Sequence, residues 1–578
     1  MTIKSLKNFN LNKINRFILL LALLAYACTG YAQVNNHFTH EDTLRGALNP
    51  LRLYDVKYYD LHLYVNTVDK TVSGENKISF LAQTDLDSIQ IDFAAGMQVI
   101  DVQNFSYSQA NKNFETKFNS LKFSRAGDRC YVKFPKKVKK DSLLAINVIF
   151  YGKPRAAVKA PWDGGFVWKK DADGNTWLGT ACEGIGASLW WPCKDYLGDE
   201  PDSMRITCLC DTNLFCKANG QLESVKDIEI VNDKINPDHT IILKQYEWLV
   251  SYPINTYDVT INLGNYGDIK DSFYSKSGKL ALHFYPLKEH QAQAHAYFPT
   301  RTKQMLKCFE HYFGPYPFFK DGYSLVETNY WGMEHQSAIA YGNHFKDSTL
   351  GYNFDFILIH ESAHEWWGNS LSCTDEAEMW LHESFATYAE ALYVEYFWGK
   401  EAGTAYLLKQ KNRISNTEPM IGPMGVNYHQ RKDNDIYYKG AWMLHTLRNV
   451  INNDSLFFAI IYNYACTYKC SPVHTYDFIN IVNKMTGKDY STFFKQYLYH
   501  AALPVLEYRI KNKSNKYIFS YHWIGVDKNF EMPITISADG KIQKIKVSAS
   551  WKHEKLMGTS DKFLIPENFT LFTLNKID

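Results

Sequence analysis

Two histidines one helical turn apart, with a glutamate directly after the first, are the residues in this sequence best suited to chemistry. They are His360, Glu361 and His364, in the stretch Asp355-Phe356-Ile357-Leu358-Ile359-His360-Glu361-Ser362-Ala363-His364-Glu365-Trp366-Trp367-Gly368-Asn369. Ile357, His360, His364 and Trp367 recur at helical spacing, Asp355 is a start signal, and Gly368-Asn369 is a stop. Residues four apart share a helix face, so both imidazoles can reach one ion. Glu361 then sits beside that ion without ligating it, the placement of a base acting on an activated water. A catalytic zinc takes three protein ligands and keeps one position open, so a third ligand must come from elsewhere. A second helical pattern, Trp380-Leu381-His382-Glu383-Ser384-Phe385-Ala386-Thr387-Tyr388-Ala389-Glu390, supplies it: Glu383 follows His364 after eighteen intervening residues. His382 competes, but a neighbour on a helix points about 100° away, which favours Glu383. The expected cofactor is one zinc ion per chain, held by His360, His364 and Glu383. Glu390, further along the face of Glu383, is a candidate for orienting a ligand from behind.

The elements that must position these residues are legible in outline. A chain of 578 residues exceeds one compact core. From Leu51 to about Asn262 the pattern is β, with period-two alternation within Lys57 to Val65 and Ser88 to Phe93. Near Tyr297 the rhythm turns helical and stays so to about Ala502. After Leu503-Pro504 strands return at Val505 to Ile510, Tyr517 to Trp523, Ile534 to Ile536 and Lys544 to Ser550, with Asp539-Gly540 as a hairpin-type turn. The expected plan is a multidomain α+β chain: a β domain over 51–262, a mainly helical domain over 263–502 and a small β domain over 503–578. The many Tyr and Phe are read as filling large β-rich cores.

The first 32 residues read as an export signal. Lys4, Lys7, Lys13 and Arg16 form a basic head, an apolar run follows from Phe17 to Ala25, and Gly30-Tyr31-Ala32 precedes the expected cleavage before Gln33. Lipid attachment at Cys28 is the rival. Residues 33–50 read as a linker. Removing the signal lowers Lys+Arg from 63 to 59 against 61 Asp+Glu, so the formal charge passes from +2 to −2. That gives no electrostatic case for nucleic acid or an anionic membrane. No other apolar run is long enough to span a bilayer, so no integral segment is expected after cleavage. The ten cysteines that survive contain no CxxC pair, so a cysteine zinc site is not expected. Cys466 and Cys470 stay open as a bridge or as buried thiols.

With these motifs in hand, the chain resembles the aminopeptidase N family of zinc metallopeptidases, which also includes the leukotriene hydrolase. The HExxH-x18-E signature matches in full, and Trp380 to Ala386 is similar to the family's WLNEGFA, with His382 for Asn and Ser384 for Gly. Gly332-Met333-Glu334-His335 resembles the GAMEN exopeptidase motif, which implies that Gly332 and Met333 line the substrate and that Glu334 binds its free amine. His335 stands where the family has Asn. Tyr437-Tyr438-Lys439-Gly440 resembles YxKG, implying Tyr437 as the donor to the oxyanion, with Tyr438 the alternative register. Ala181-Cys182-Glu183-Gly184 resembles the segment that adds Glu183 to the amine pocket, a buried salt bridge being the other role open to it. The resemblance implies a saddle-like N-terminal β domain, a thermolysin-like catalytic domain and a C-terminal β-sandwich. The long members' helical C-terminal domain has no room here, so the cleft cover is expected to be absent or supplied by another subunit.

The expected function is an exported aminopeptidase acting on peptides through a metal-activated water, with Glu361 as base. An endopeptidase of thermolysin type and a catalytically silent peptide-binding protein are the alternatives, and a lipid epoxide hydrolase stands by family analogy only. Preferred side chain, length limit, physiological substrate, oligomeric state and disulfide pairing are not legible.

Overall fold

The computed structural model describes residues 38–110, 113–231, 240–427, 432–513, 516–538, 540–556 and 563–578. The export signal, Cys28, residues 33–37 and Asp539 of the expected hairpin turn lie outside them.

The N-terminal region is built on an eight-stranded mixed sheet. Its strand Tyr54–Asn66 pairs antiparallel with Thr71–Ala82 and parallel with Ser203–Asp211. Tyr54 and Val56 face the core, and so do Tyr59, Leu61, Leu63 and Val65. The buried set changes phase between Val56 and Tyr59. A register shift between Val56 and Tyr58 accounts for it, because one extra residue in a strand exchanges its faces. A four-stranded sheet carries the strand Thr176–Ala181, which leads directly into Glu183.

Residues 39–50 are more than a linker. Thr39 caps a short helix, α1 (His40–Arg45). Arg45 pairs with Asp195, and Asn49 donates to Gln90 at 2.8 Å. The Leu48 amide donates to the Gly425 carbonyl at 3.3 Å, so this segment ties the β region to the catalytic region. A turn-rich, polar composition hid these long-range partners.

The catalytic region pairs helices with a five-stranded sheet whose edge strand is Gly332–Met333. Helix α2 (Gln291–Phe313) starts six residues before the expected Tyr297, because its first turns are polar and exposed apart from Ala294. Helix α3 (Phe356–Ala363) holds His360 and is capped by Asp355, while α4 (Trp380–Trp398) holds Glu383 and is buried along most of its length. Helices α5 (Lys400–Gln410) and α6 (Tyr438–Ile451) pack on it. Beyond Pro504, two sheets of four and three strands form the C-terminal unit, and all four expected strands are present. Trp523, Phe530 and Met532 there share one apolar core with Tyr497 and Leu498 of the helical region. Secondary structure therefore changes at residue 503 while the core runs through. Among the described residues no helix is long and apolar enough to cross a membrane, and all ten cysteines, Cys466 and Cys470 included, are free thiols.

Candidate active site

Asp355 fixes the start of α3. Its carboxylate accepts from the Leu358 amide at 3.3 Å, which caps the helix, and also from Asn343, Tyr341 and Tyr297 at 2.7, 2.6 and 3.0 Å. Four donors, three of them from outside α3, thus hold the helix that carries His360. The regular helix ends at Ala363, earlier than the expected stop at Gly368, but His364 keeps right-handed backbone angles as the C-cap and stays on the same face.

The rear nitrogens of both imidazoles are engaged. His360 Nδ1 lies 2.8 Å from Glu390 Oε1, and His364 Nδ1 lies 2.8 Å from the Trp367 carbonyl. Each Nδ1 therefore carries the proton, and each Nε2 presents a lone pair. The two Nε2 atoms are 3.4 Å apart, and Glu383 Oε2 is 3.5 Å from each. Three ligands at about 2.1 Å around a tetrahedral ion would stand about 3.4 Å from one another. Glu383 Oε2 is buried and has no hydrogen-bond partner, an orphan that a metal would satisfy. Two imidazoles and a carboxylate are a donor set suited to zinc, so these residues fit the ion.

His382 is not part of this triangle. Its Nε2 accepts from the Cys373 amide at 2.8 Å, and burial holds the ring neutral, its pKa lowered to about 3. Glu390, placed behind His360, also accepts from Tyr406 and Gln410, which locks it as the orienting carboxylate.

Glu361 faces the cavity beside the triangle. A Cβ on Gly332 would stand 2.5 Å from Glu361 Oε1, so a glycine there lets the edge strand approach the carboxylate. Burial pushes Glu361 up to about 7, and a dication next to it would bring it down. Glu334 is also buried, and Tyr257 donates to it at 3.2 Å. The backbone around Glu334 is held from the α3 side. Asn369 donates to the Glu334 carbonyl at 2.7 Å, and Glu365 accepts from the Ser337 amide at 2.9 Å. Sequence reasoning read Asn369 only as part of the helix stop and gave Glu365 no role; their place just after the second histidine was the signal available.

Glu183 stands on the same cavity wall, and no cation lies within ion-pair distance of it among the described residues, which removes the salt-bridge reading. Burial, then the Glu334 and Glu383 carboxylates, push it well above the usual carboxylate range. Gly332 and Met333 line the cavity as well, whereas His335 does not. His335 is fully buried with neither ring nitrogen partnered, and burial lowers its pKa to about 3.

Tyr437 and Tyr438 separate cleanly. Tyr437 stacks on His360 with centroids 6.2 Å apart, and its hydroxyl interacts with Glu383. Burial and the neighbouring carboxylates push its pKa well above 10, so it remains a donor. Tyr438 instead accepts from Arg413 at 2.7 Å. Lys439, on the first turn of α6, donates to the carbonyls of His500 and Ala501 at 2.9 and 2.7 Å. Gly440 is a packing requirement: a Cβ there would stand 1.6 Å from Ser384 Oγ. Ser384, next to Glu383, donates at 2.6 Å to the carbonyl of Ile436, which precedes Tyr437. The serine that departs from WLNEGFA therefore joins the two site helices.

A test follows from that contact. Gly440→Ala should displace Tyr437 and lower kcat about 10²-fold, the scale of a 1 Å misplacement. Ser384→Gly added to it removes the clashing atoms and should recover most of the loss. Kinetics of the single and double variants check this, and a double variant no better than Gly440→Ala alone would refute the packing role.

The site as a whole is a cavity of about 430 Å³ that also exposes Glu361, Glu383 and Glu390 beside the two histidines. Glu334, Glu361 and His364 form a second cluster with donor atoms within 4.8 Å of one another. Negative charge exceeds positive at this end, which suits a cavity built to receive cations.

Fold and donor set together define the class: a helix-borne metal site of two histidines and a glutamate, of the metallopeptidase type. The Peptidase M1 N-terminal domain matches residues 56–205 and the Peptidase family M1 domain matches residues 299–497. The chain belongs to peptidase family M1, whose members are zinc metallopeptidases. It is 22% identical over 519 residues to a probable aminopeptidase 1 of Sulfurisphaera tokodaii, covering 85% of this chain and 59% of that protein. It is 21% identical to a leucyl aminopeptidase of Saccharolobus solfataricus, covering 84% and 59%. The chain thus spans about three fifths of the length of these curated relatives. Among solved structures, an M1 zinc metallopeptidase of Deinococcus radiodurans bound to a Tyr-Ser-Ala substrate superposes with a TM-score of 0.62. It shares 20% identity, and the match covers 78% of this chain and 96% of that one.

Proposed function

We propose that this chain is a zinc-dependent aminopeptidase, with one zinc held by His360, His364 and Glu383, that hydrolyses the N-terminal peptide bond of peptides. The observation that carries this reading is the pair Glu334 and Glu183, two carboxylates on the cavity wall beside the triad with no cation paired to them. An α-ammonium is the cation a peptide brings. Pinned there, the substrate lies with its first carbonyl, and no later one, over the triad.

When bound, zinc acts as a Lewis acid that polarises the scissile carbonyl and eases deprotonation of water. Glu361 takes the proton of the attacking water as the C–O bond forms. Tyr437 donates its hydroxyl to the carbonyl oxygen as that oxygen becomes negative. Glu361 then returns the proton to the leaving nitrogen as the C–N bond breaks. Gly332–Met333, at the edge of its sheet, offers unpaired backbone groups to an extended peptide.

An N-terminal acetyl group tests the reading, since it removes the charge that Glu334 and Glu183 await. A charge-assisted hydrogen bond contributes about 1.5–3 kcal/mol. Acetylated peptides should therefore resist the wild-type protein, and Glu334→Ala should lower kcat/KM for free-amine peptides by roughly 10–10²-fold. Internal cleavage of acetylated peptides at comparable rates, seen by mass spectrometry, would make the protein an endopeptidase. The chain is further proposed to be exported, on its basic head and short apolar run, a reading that N-terminal sequencing of the mature protein checks at Gln33.

A further inference from the structure

Two indoles on the cavity wall are half open to solvent. Trp162 is 52% exposed and Trp331 is 47% exposed, and both line the cavity that holds the triad. Their rings are 6.3 Å apart by centroid and tilted by 55°. The inner one, Trp331, stacks on Phe356 at 5.4 Å, and Phe356 stacks on His360 at 5.4 Å. The pair is therefore a shelf that begins two rings from a metal ligand. Large aromatic faces left bare beside a substrate cavity mark a contact surface.

Both rings are held in place before any ligand arrives. Trp162 sits in a turn that closes on itself. The Asp163 amide donates to the Lys159 carbonyl at 2.9 Å, the Val158 amide donates to the Asp163 carbonyl at 3.0 Å, and Asp163 pairs with Arg155. Lys159 also lies over the Trp162 ring at 5.5 Å, which props it from one side. Trp331 is fixed through its backbone, its carbonyl accepting from the Gly342 amide at 2.8 Å.

That last bond also sets a register. Backbone groups of successive strand residues point to opposite sides. With the Trp331 carbonyl turned toward the neighbouring strand Ile339–Tyr341, the N–H and C=O of Gly332 face the open edge. A peptide with its amine on Glu334 and its backbone along this edge runs antiparallel to it, from Glu334 back to Trp331. Three strand residues cover about 10 Å. The first peptide residue then lies beside Met333, the second beside Gly332 and the third beside Trp331. Trp331 stands at the first position of GAMEN, where that motif has glycine, so the indole is this chain's own addition to the strand.

We propose that Trp331 and Trp162 form an aromatic subsite for the third residue of the substrate, so that the enzyme selects peptides with an aromatic side chain there. The proposal rests on the aminopeptidase reading, because the amine anchor sets the register. Aromatic rings favour offset and edge-to-face contacts, and two indoles tilted against each other offer a face and an edge together. An aliphatic side chain at the same place gains burial alone.

The test follows initial release of the first alanine from Ala-Ala-Phe-Ala, Ala-Phe-Ala-Ala and tetra-alanine by the zinc-loaded protein, using mass spectrometry. Ala-Ala-Phe-Ala should be preferred over tetra-alanine about tenfold in kcat/KM. The gain should come chiefly through KM, because the third residue is remote from the bond that breaks. Trp331→Ala and Trp162→Ala should each bring that preference toward unity. Trp162 lies outside the stack on His360, so its variant separates loss of the subsite from damage to the metal ligand. Trp331→Phe keeps a ring and should keep most of the preference. Equal cleavage of Ala-Ala-Phe-Ala and tetra-alanine by wild type, or a preference that survives both alanine variants, refutes the subsite and leaves the aminopeptidase reading standing. A preference at the second residue instead overturns the register on which the subsite depends. If no free-amine peptide is cleaved, or N-acetylated Ala-Ala-Phe-Ala is cleaved as well, the underlying reading fails and the subsite with it.

Discussion

Glu361→Gln protein should keep its zinc and yet turn over peptides about 10²–10⁴ times more slowly than wild type, the span expected for loss of a general base. The geometry separates these two properties. Of the two donor clusters, the one whose atoms stand 3.4–3.5 Å apart is His360, His364 and Glu383, and Glu361 belongs to the other. Its carboxylate lies alongside, against the edge strand at Gly332. Glutamine has nearly the same shape, so it fills the same space and leaves no cavity. It can still accept a hydrogen bond from water, but an amide cannot take the proton. The variant therefore keeps the ligand cage and the amine anchor while losing one chemical step. Metal analysis alongside steady-state kinetics decides the matter. Near-normal turnover with full zinc occupancy would remove Glu361 from the role of base.

How far the sequence alone could lead depended on the range of each contact. The metal triangle was legible because His360 and His364 are one helical turn apart and Glu383 begins the next helical pattern. Glu390 was legible for the same reason, lying two turns beyond Glu383 on the same helix. The resemblance to YxKG favoured Tyr437 over Tyr438, and the fold separates them: Tyr437 stacks on His360, whereas Tyr438, the first residue of α6, accepts from Arg413. The groups that hold the site together were hidden. Ser384 meets Ile436 across 52 residues of chain, Asn369 meets Glu334 across 35, and Tyr297 meets Asp355 across 58. No periodicity records such pairings. The segment before Leu51 was hidden similarly: Arg45 finds Asp195 across 150 residues, and composition shows only a polar stretch.

Those hidden contacts also explain how a metal site can be rigid while lying between helices. Asp355 fixes the start of α3, Glu390 fixes the rear of His360, and Ser384 links α4 to the turn that leads into α6. The ligands and Tyr437 therefore move, if at all, as one unit. A rigid first arrangement is what electrostatic stabilisation of a developing oxyanion requires.

Glu383→Ala should abolish zinc binding at ordinary zinc concentrations, and activity with it. Glu383 contributes both a ligand oxygen and the negative charge that faces the two imidazoles. Burial by itself would raise its pKa, yet the contacts with His360 and His364 hold it well below the usual carboxylate range. Removing it leaves two imidazole nitrogens 3.4 Å apart, which lack the third ligand a catalytic zinc needs. The adjacent residue is not placed to replace it. His382, the adjacent residue, already accepts the Cys373 amide, and turning it toward the ion would break that bond and strand a buried donor. Glu390→Gln offers the graded comparison. It keeps all three ligands and only weakens the partner of His360 Nδ1, so metal affinity should fall about 10–100-fold and zinc should still load when supplied in excess. The pair is measured by elemental analysis after dialysis and by activity against added zinc. Stoichiometric zinc in the dialysed Glu383→Ala protein would overturn the assignment of the third ligand. Recovery of Glu390→Gln but not of Glu383→Ala on zinc addition is the outcome that the triangle of donors leads us to expect.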